Sequence, residues 1–193
     1  KYGCGATLLT KSNRVLEDID LLKSINDSTK CVVQMTLTTY DDNLCSILEP
    51  NVCNTSERFK VLQELNEAGI STVVWLCPIL PFINDTKENI LGILDYCSRA
   101  KVKGVICFGM GVTLREGNRE YFYNKLDEYF PGMKEQYILR YCDAYMLESP
   151  ISHELMQIFH STCEREGIMH DNNAIFRYLN KFETNGSKQI SWF

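Results

Sequence analysis

Residues 73–86, VVWLCPILPFINDT, begin as an apolar run and then meet Pro78, Pro81 and an Asn-Asp-Thr group. The run is rich in β-branched and aromatic residues and too short for a helix, and neither proline can extend a hydrogen-bonded strand. A buried strand that leaves through a rigid segment and turns into a helix is the building unit of a parallel α/β sheet. The unit recurs along the chain. Strand candidates are Ala6–Thr10, Cys31–Thr36, Thr72–Cys77 and Gly104–Gly109, apolar without strict alternation, as strands covered on both faces require.

Helices are expected between them over Asn13–Ile25, Thr55–Ala68 and Thr86–Ala100, each with apolar residues on one face. Asn54 with Glu57, and Asp85 with Glu88, have the spacing of a capping box, and Gly69 is placed to end the second helix in a left-handed turn. After Gly111 the pattern turns helical: Arg119–Tyr129, Met133–Tyr141, Ile151–Gly167 and Asn172–Phe182, with Ser149-Pro150 as a start signal for the third. One domain is expected, with an α/β part over 1–131 and a helical extension over 132–193 packed on it.

Composition narrows the function classes. With 45% hydrophobic residues in 193, the chain can bury a core, and 20 basic against 25 acidic side chains give a net charge of −5. Nucleic-acid binding cannot be argued from that charge. Apolar runs such as 73–80 are far too short to span a bilayer, and the chain reads as soluble and cytoplasmic, with no membrane partner. The nine cysteines have no close C-x-x-C spacing, and Cys31, Cys77, Cys97, Cys107 and Cys163 fall in apolar patterns, where a thiol behaves as a small hydrophobe. Reduced core cysteines are the expectation. His153, His160 and Cys163 share a helical stretch, but a lone helix with that spacing is a poor metal site. The opening KYGCGATLL reads like a junction inside a larger domain.

In parallel α/β folds, ligand sites gather at the carboxyl ends of the strands. Here those ends run into Thr10-Lys11-Ser12, then Thr36 to Asp42, then Pro78 to Pro81, then Gly109-Met110-Gly111. A lysine, a hydroxyl cluster, two prolines and two glycines thus face one mouth. Glu49 with Arg58 reads as an ion pair locking the loop after the second strand. The glycines of GMGVTLREGN, 109–118, do not fit a dinucleotide fingerprint and offer only a faint phosphate loop.

The series LTKSNRVLEDIDLL (9–22), VVQMTLTT (32–39), LEPNVCNTSERFKVLQELNEAGI (48–70) and PILPFIND (78–85) resembles the spore photoproduct lyase branch of the radical S-adenosylmethionine (radical SAM) enzymes, whose members are often labelled DNA repair photolyases. The segment LREGNREYFYNKLDEYFP (114–131) resembles a later part of the same group. The resemblance implies a partial TIM-type barrel, the four strands being strands 3 to 6 of a (β/α)6 radical SAM barrel, followed by a helical carboxyl-terminal segment. It implies S-adenosylmethionine as cofactor, with Lys11 at its carboxylate, Thr36 as a hydroxyl contact in place of the family's serine, and Thr38 and Arg58 as further cofactor-binding residues. It also implies a [4Fe-4S] cluster in the intact parent, whose C-x-x-x-C-x-x-C loop would lie upstream of Lys1; the substrate stays open, with damaged DNA as one candidate that the acidic balance does not favour. Thiolates held close together are what such a cluster needs, and this chain as given is expected not to assemble it. A half barrel would leave its first strand as an edge, open to homo-oligomerisation or helix coverage. The competing expectation is a non-catalytic binding domain that shares the half barrel.

Overall fold

The computed structural model describes residues 4–181. Four parallel strands lie side by side in chain order: β1 (Ala6–Thr10), β2 (Cys31–Thr36), β3 (Ser71–Trp75) and β4 (Gly104–Ile106). The first two have the expected limits. β3 stops before Cys77, and β4 is three residues long rather than the expected six. The cause is visible at Cys107, whose N–H donates to Asn172 Oδ1 at 3.2 Å and whose carbonyl accepts from Asn172 Nδ2 at 2.8 Å. A side-chain amide thus takes over where a strand ladder would have continued.

The connecting helices are α1 (Ile19–Ser28), α2 (Asp42–Leu48), α3 (Thr55–Glu67) and α4 (Lys87–Arg99). The expected helix over 13–25 is split: Ser12 caps a tight 3-10 stretch, Asn13–Asp18, before α1 begins. α2 was not anticipated; Asp41 starts it by accepting the Leu44 N–H at 2.7 Å. Asn54 and Glu57 do form a reciprocal capping box on α3, and Gly69 follows it at φ +77°. The Asp85–Glu88 box is corrected. Thr86 caps α4 instead, accepting from Asn89 N–H at 3.1 Å, because Asp85 is turned inward to accept a 2.5 Å hydrogen bond from Ser149 Oγ.

Apolar side chains of α1, α3 and α4 and of α7 (Ser152–Glu166) meet Cys31, Val33, Met35, Val74 and Val105 in one cluster, so these helices cover one face of the sheet. Val32, Val73 and Ile106 alternate onto the other face, where α8 (Asn172–Asn180) covers them with Ile175 and Leu179. β4 is finished at its outer edge by Met169, whose carbonyl accepts the Val105 N–H at 2.8 Å. β1 pairs with β2 alone among the described residues, leaving Leu8 38% and Leu9 58% exposed.

Where the sequence pattern after residue 111 reads as helices alone, the structure adds a short antiparallel ribbon, β5 (Gly111–Thr113) with β6 (Met146–Glu148). The helices α5 (Asn118–Tyr129) and α6 (Met133–Tyr141) pack with it around the buried Tyr137. The Tyr137 hydroxyl donates to Pro81 O at 2.5 Å, tying this layer to the proline segment that follows β3. Residues 182–193, the end of the expected extension, lie outside the described residues.

Gly104 tests how tightly the β4 edge is closed. A Cβ there would sit 2.8 Å from the Met169 carbonyl oxygen and 3.1 Å from the Ile175 side chain. Gly104→Ala is expected to lower stability by about 1–3 kcal/mol through overpacking, measured as the urea midpoint and slope of the purified chain.

Candidate ligand site at the carboxyl ends of the strands

Lys11 follows the last residue of β1, Thr38 lies two residues beyond β2, and Glu49 stands at the end of α2. Parallel pairing brings the first two to the same end of the sheet. Glu49 joins them: its carboxylate accepts from Lys11 Nζ at 2.5 Å, Arg58 Nη1 at 2.7 Å and Thr38 Oγ1 at 3.1 Å. Arg58 comes from the first turn of α3, which the Asn54–Glu57 box fixes. Its side chain is 0% exposed, and it also donates to Cys53 O at 2.8 Å and Thr36 O at 3.0 Å. The guanidinium therefore has a carboxylate and two carbonyls as partners, which is what makes burial of a permanent charge tolerable.

Burial alone would push the Glu49 carboxyl up, but hydrogen bonds and charge from Lys11 and Arg58 together outweigh it and hold the group below its ordinary value. Lys11, Arg58 and Glu49 then carry two positive charges against one negative, a surplus of one positive charge. That surplus is exposed only at Lys11, whose side chain is 40% accessible. An ammonium has three N–H donors, so the contact with Glu49 leaves two for a ligand.

Lys11, Thr38, Glu49, Pro78, Leu80 and Asn84 line a cavity of about 290 Å3. The rim is stiff for identifiable reasons. Asn84 accepts from Leu80 N–H at 2.5 Å and donates to Thr38 O at 2.8 Å, and Asn89 Nδ2 adds a second donor to that carbonyl at 3.1 Å. Both asparagines are buried. Two further cavities adjoin this one, and Pro78 borders all three. One, of about 440 Å3, lies beside Cys77, Phe108, Met110 and Glu148; the other, of about 280 Å3, lies between α2 and α5.

Of the residues singled out from sequence, Lys11 and Thr38 reach the cavity wall. Arg58 stands behind it as the partner of Glu49, the ion pair that the sequence suggested. Thr36 is buried at the end of β2, offers its carbonyl to Arg58 and is not among the lining residues. Sequence reasoning missed Glu49 as a partner of Lys11, and Asn84 as a rim clamp. The first joins residues 38 positions apart, which no local spacing signals.

All nine thiols are free; Cys31, Cys97, Cys107 and Cys163 are buried as expected, Cys77 is only partly buried because it lies beyond the end of β3, and Cys45 on α2 is buried in addition. Burial pushes the Cys77 thiol up, against an opposing pull from Lys11, and takes Cys107 to about 11, so neither is poised as a thiolate at neutral pH. No group of three or more His, Cys, Asp or Glu among the described residues is arranged to hold a metal ion. The described residues therefore offer no ligand set for an iron–sulfur cluster. No helix of the described residues is long and apolar enough to cross a membrane.

No family model matches the chain. It is 30% identical over 122 residues to an uncharacterized protein of Acidianus two-tailed virus, covering 62% of this chain and 39% of that protein. It is 34% identical over 86 residues to an uncharacterized protein of Methanocaldococcus jannaschii, covering 45% and 32%. An uncharacterized protein of Mycobacterium tuberculosis is 24% identical over 135 residues, covering 70% and 39%. The chain thus spans 32–39% of the length of these relatives. Among solved structures, the HMG-CoA lyase of Bacillus subtilis matches at a TM-score of 0.36 and 15% identity over 92% of this chain and 76% of that chain, a likeness too low to carry an argument.

Two outcomes follow from the ion network. Arg58→Ala leaves Glu49 with Lys11 and Thr38 as its partners but removes the donor to two carbonyls, so a loss of about 1–3 kcal/mol for each unsatisfied carbonyl is expected, read from urea denaturation. Because the folded Glu49 carboxyl lies below its ordinary 4.5, its contribution is full above that value and disappears as pH falls through the folded one. Denaturation midpoints measured from about pH 6 down to pH 3 should therefore drop more steeply in the native chain than in Glu49→Gln.

Proposed function

We propose that the chain is part of a radical SAM protein of the spore photoproduct lyase branch and that its strands are a section of the barrel wall, β1 to β4 being strands 3 to 6 of a (β/α)6 barrel. Sequential parallel strands with α1, α3 and α4 on one face are consistent with such a section. The observation that carries the reading is the Lys11–Glu49–Arg58 network with Thr38: pieces of three separate motifs meet at one cavity at the carboxyl ends of the strands.

In this reading the two remaining N–H donors of Lys11 receive the carboxylate of S-adenosylmethionine, and the surplus positive charge of the network favours that anion. Glu49 keeps the Lys11 side chain pointed into the cavity, and Arg58 keeps Glu49 in place. Thr38, whose hydroxyl already faces Glu49, is better placed than Thr36 to serve as the hydroxyl contact. Bound there, S-adenosylmethionine would supply the radical chemistry, and the residues of this chain would supply its orientation and shielding. In this reading the cluster ligands belong to a part of the parent protein outside this chain.

One observation favours a second reading, a non-catalytic binding domain: Lys11 already has an internal carboxylate partner. Titration calorimetry of the 193-residue chain with S-adenosylmethionine separates the two. Saturable binding that Lys11→Ala weakens about 10- to 100-fold, the worth of one charge-assisted hydrogen bond, supports the cofactor site. Equal affinity in the variant removes Lys11 from it, and absence of binding in both moves the reading to the interaction domain.

A further inference from the structure

The charged cavity does not end at its own wall. Leu48, Pro50, Pro78 and Leu80 border both it and the cavity of about 280 Å3 between α2 and α5. The character changes across that boundary. On the far side the lining is Ile47, Ile83, Leu126 and four aromatic rings from α5 and its carboxyl end, Tyr121, Phe122, Tyr129 and Phe130. The cationic group there, Lys125, is already paired with Glu128 at 2.6 Å and lies 5.9 Å and 5.4 Å from the Tyr121 and Tyr129 ring centroids. Lys125 and Glu128 balance each other, so this end has no surplus charge of the kind that Arg58 adds to the Lys11–Glu49 pair.

We propose that this second cavity binds an uncharged planar ring of a small molecule, of about the size of indole or phenol, beside whatever occupies the Lys11 site. Rings lined by rings gain edge-to-face and offset contacts beyond their burial, and apolar walls meeting a few fixed polar groups are the usual form of a small-molecule site. Pro50 and Pro78 add rigid apolar walls, so little ordering is left to oppose binding. A highly charged occupant, such as a nucleic-acid strand, would have to leave its phosphates against apolar walls and a paired lysine. The binding proposed here does not rest on the radical SAM reading.

The test titrates indole into the methyl-labelled chain and follows the methyl resonances by NMR. Saturable shifts at Leu80, Ile83 and Leu126 are expected. Ile47 is partly exposed on α2, so Ile47→Asp can place a charge on the wall without emptying the core. It should weaken indole about tenfold or more, the cost of setting an unpaired charge against an apolar ligand, while Ile47→Val stays within about threefold. Linear, non-saturating shifts, or shifts confined to the cavity beside Cys77 and Phe108, would overturn the assignment. So would methyl shifts that depend on protein concentration rather than indole, since they would give the groove to a second copy of the chain. The titration contains no S-adenosylmethionine, so failure of the cofactor site leaves this result untouched, and the converse holds.

Discussion

A guanidinium with no exposed surface has to be satisfied or the fold fails around it, and Arg58 is satisfied by Glu49 and by the carbonyls of Thr36 and Cys53. Those partners come from α2, from the end of β2 and from the loop before α3. The charge therefore locks three pieces of backbone at one end of the sheet, and it does so with directional bonds that apolar packing could not supply. Everything at the mouth takes its position from that lock. Lys11 is aimed by Glu49, Thr38 is turned toward the same carboxylate, and the cavity between them inherits the geometry.

The proline segment answers a different requirement. Beyond β3 the backbone has to stay ordered while it borders three cavities, and there it is held by Leu76 N–H to Ile106 O at 2.9 Å and Ile79 N–H to Gly111 O at 3.1 Å rather than by a continuous ladder. Pro78 and Pro81 restrict their own φ angles, and side chains supply the rest: Asn84 clasps Leu80 and Thr38, and Tyr137 reaches Pro81 from the α5–α6 layer. Asp85, which burial pushes above the ordinary carboxyl value against the pull of the Ser149 hydrogen bond, belongs to the same clasp. The segment that looks like a chain breaker in the sequence is thus tied by side chains to β2's end, to the α5–α6 layer and to Ser149.

What could be read from sequence follows the range of the interactions involved. β1 and β2 were legible to the residue because each is a short β-rich run between turn residues, and the Asn54–Glu57 cap because both partners sit within one turn. The Asp85 cap was misplaced because its actual partner, Ser149, is 64 residues away, and a local spacing rule cannot weigh that competitor. β5 and β6 are three residues each and find each other across α5 and α6, so they carry no period of their own. The site was half legible. Lys11 and Thr38 could be placed at a mouth because strands end there, whereas the carboxylate joining them could only be found in three dimensions.

The division of labour between the two cavities has a physical cause in the elements that build them. The charged one is walled by strand ends and by the α2–α3 connection, where backbone carbonyls can absorb a buried cation. The apolar one is walled by α5, whose backbone hydrogen bonds are spent within the helix, leaving only side chains to meet a ligand. Along α5 the inward positions are Phe122 and Leu126, followed by Phe130 just past its end, at the four-residue spacing of one helix face. A helix of that pattern presents rings and methyls to the cavity, and its cation there, Lys125, is balanced by Glu128. In the proposed pair of sites the Lys11 end thus suits the charge of a ligand and the α5 end its apolar bulk.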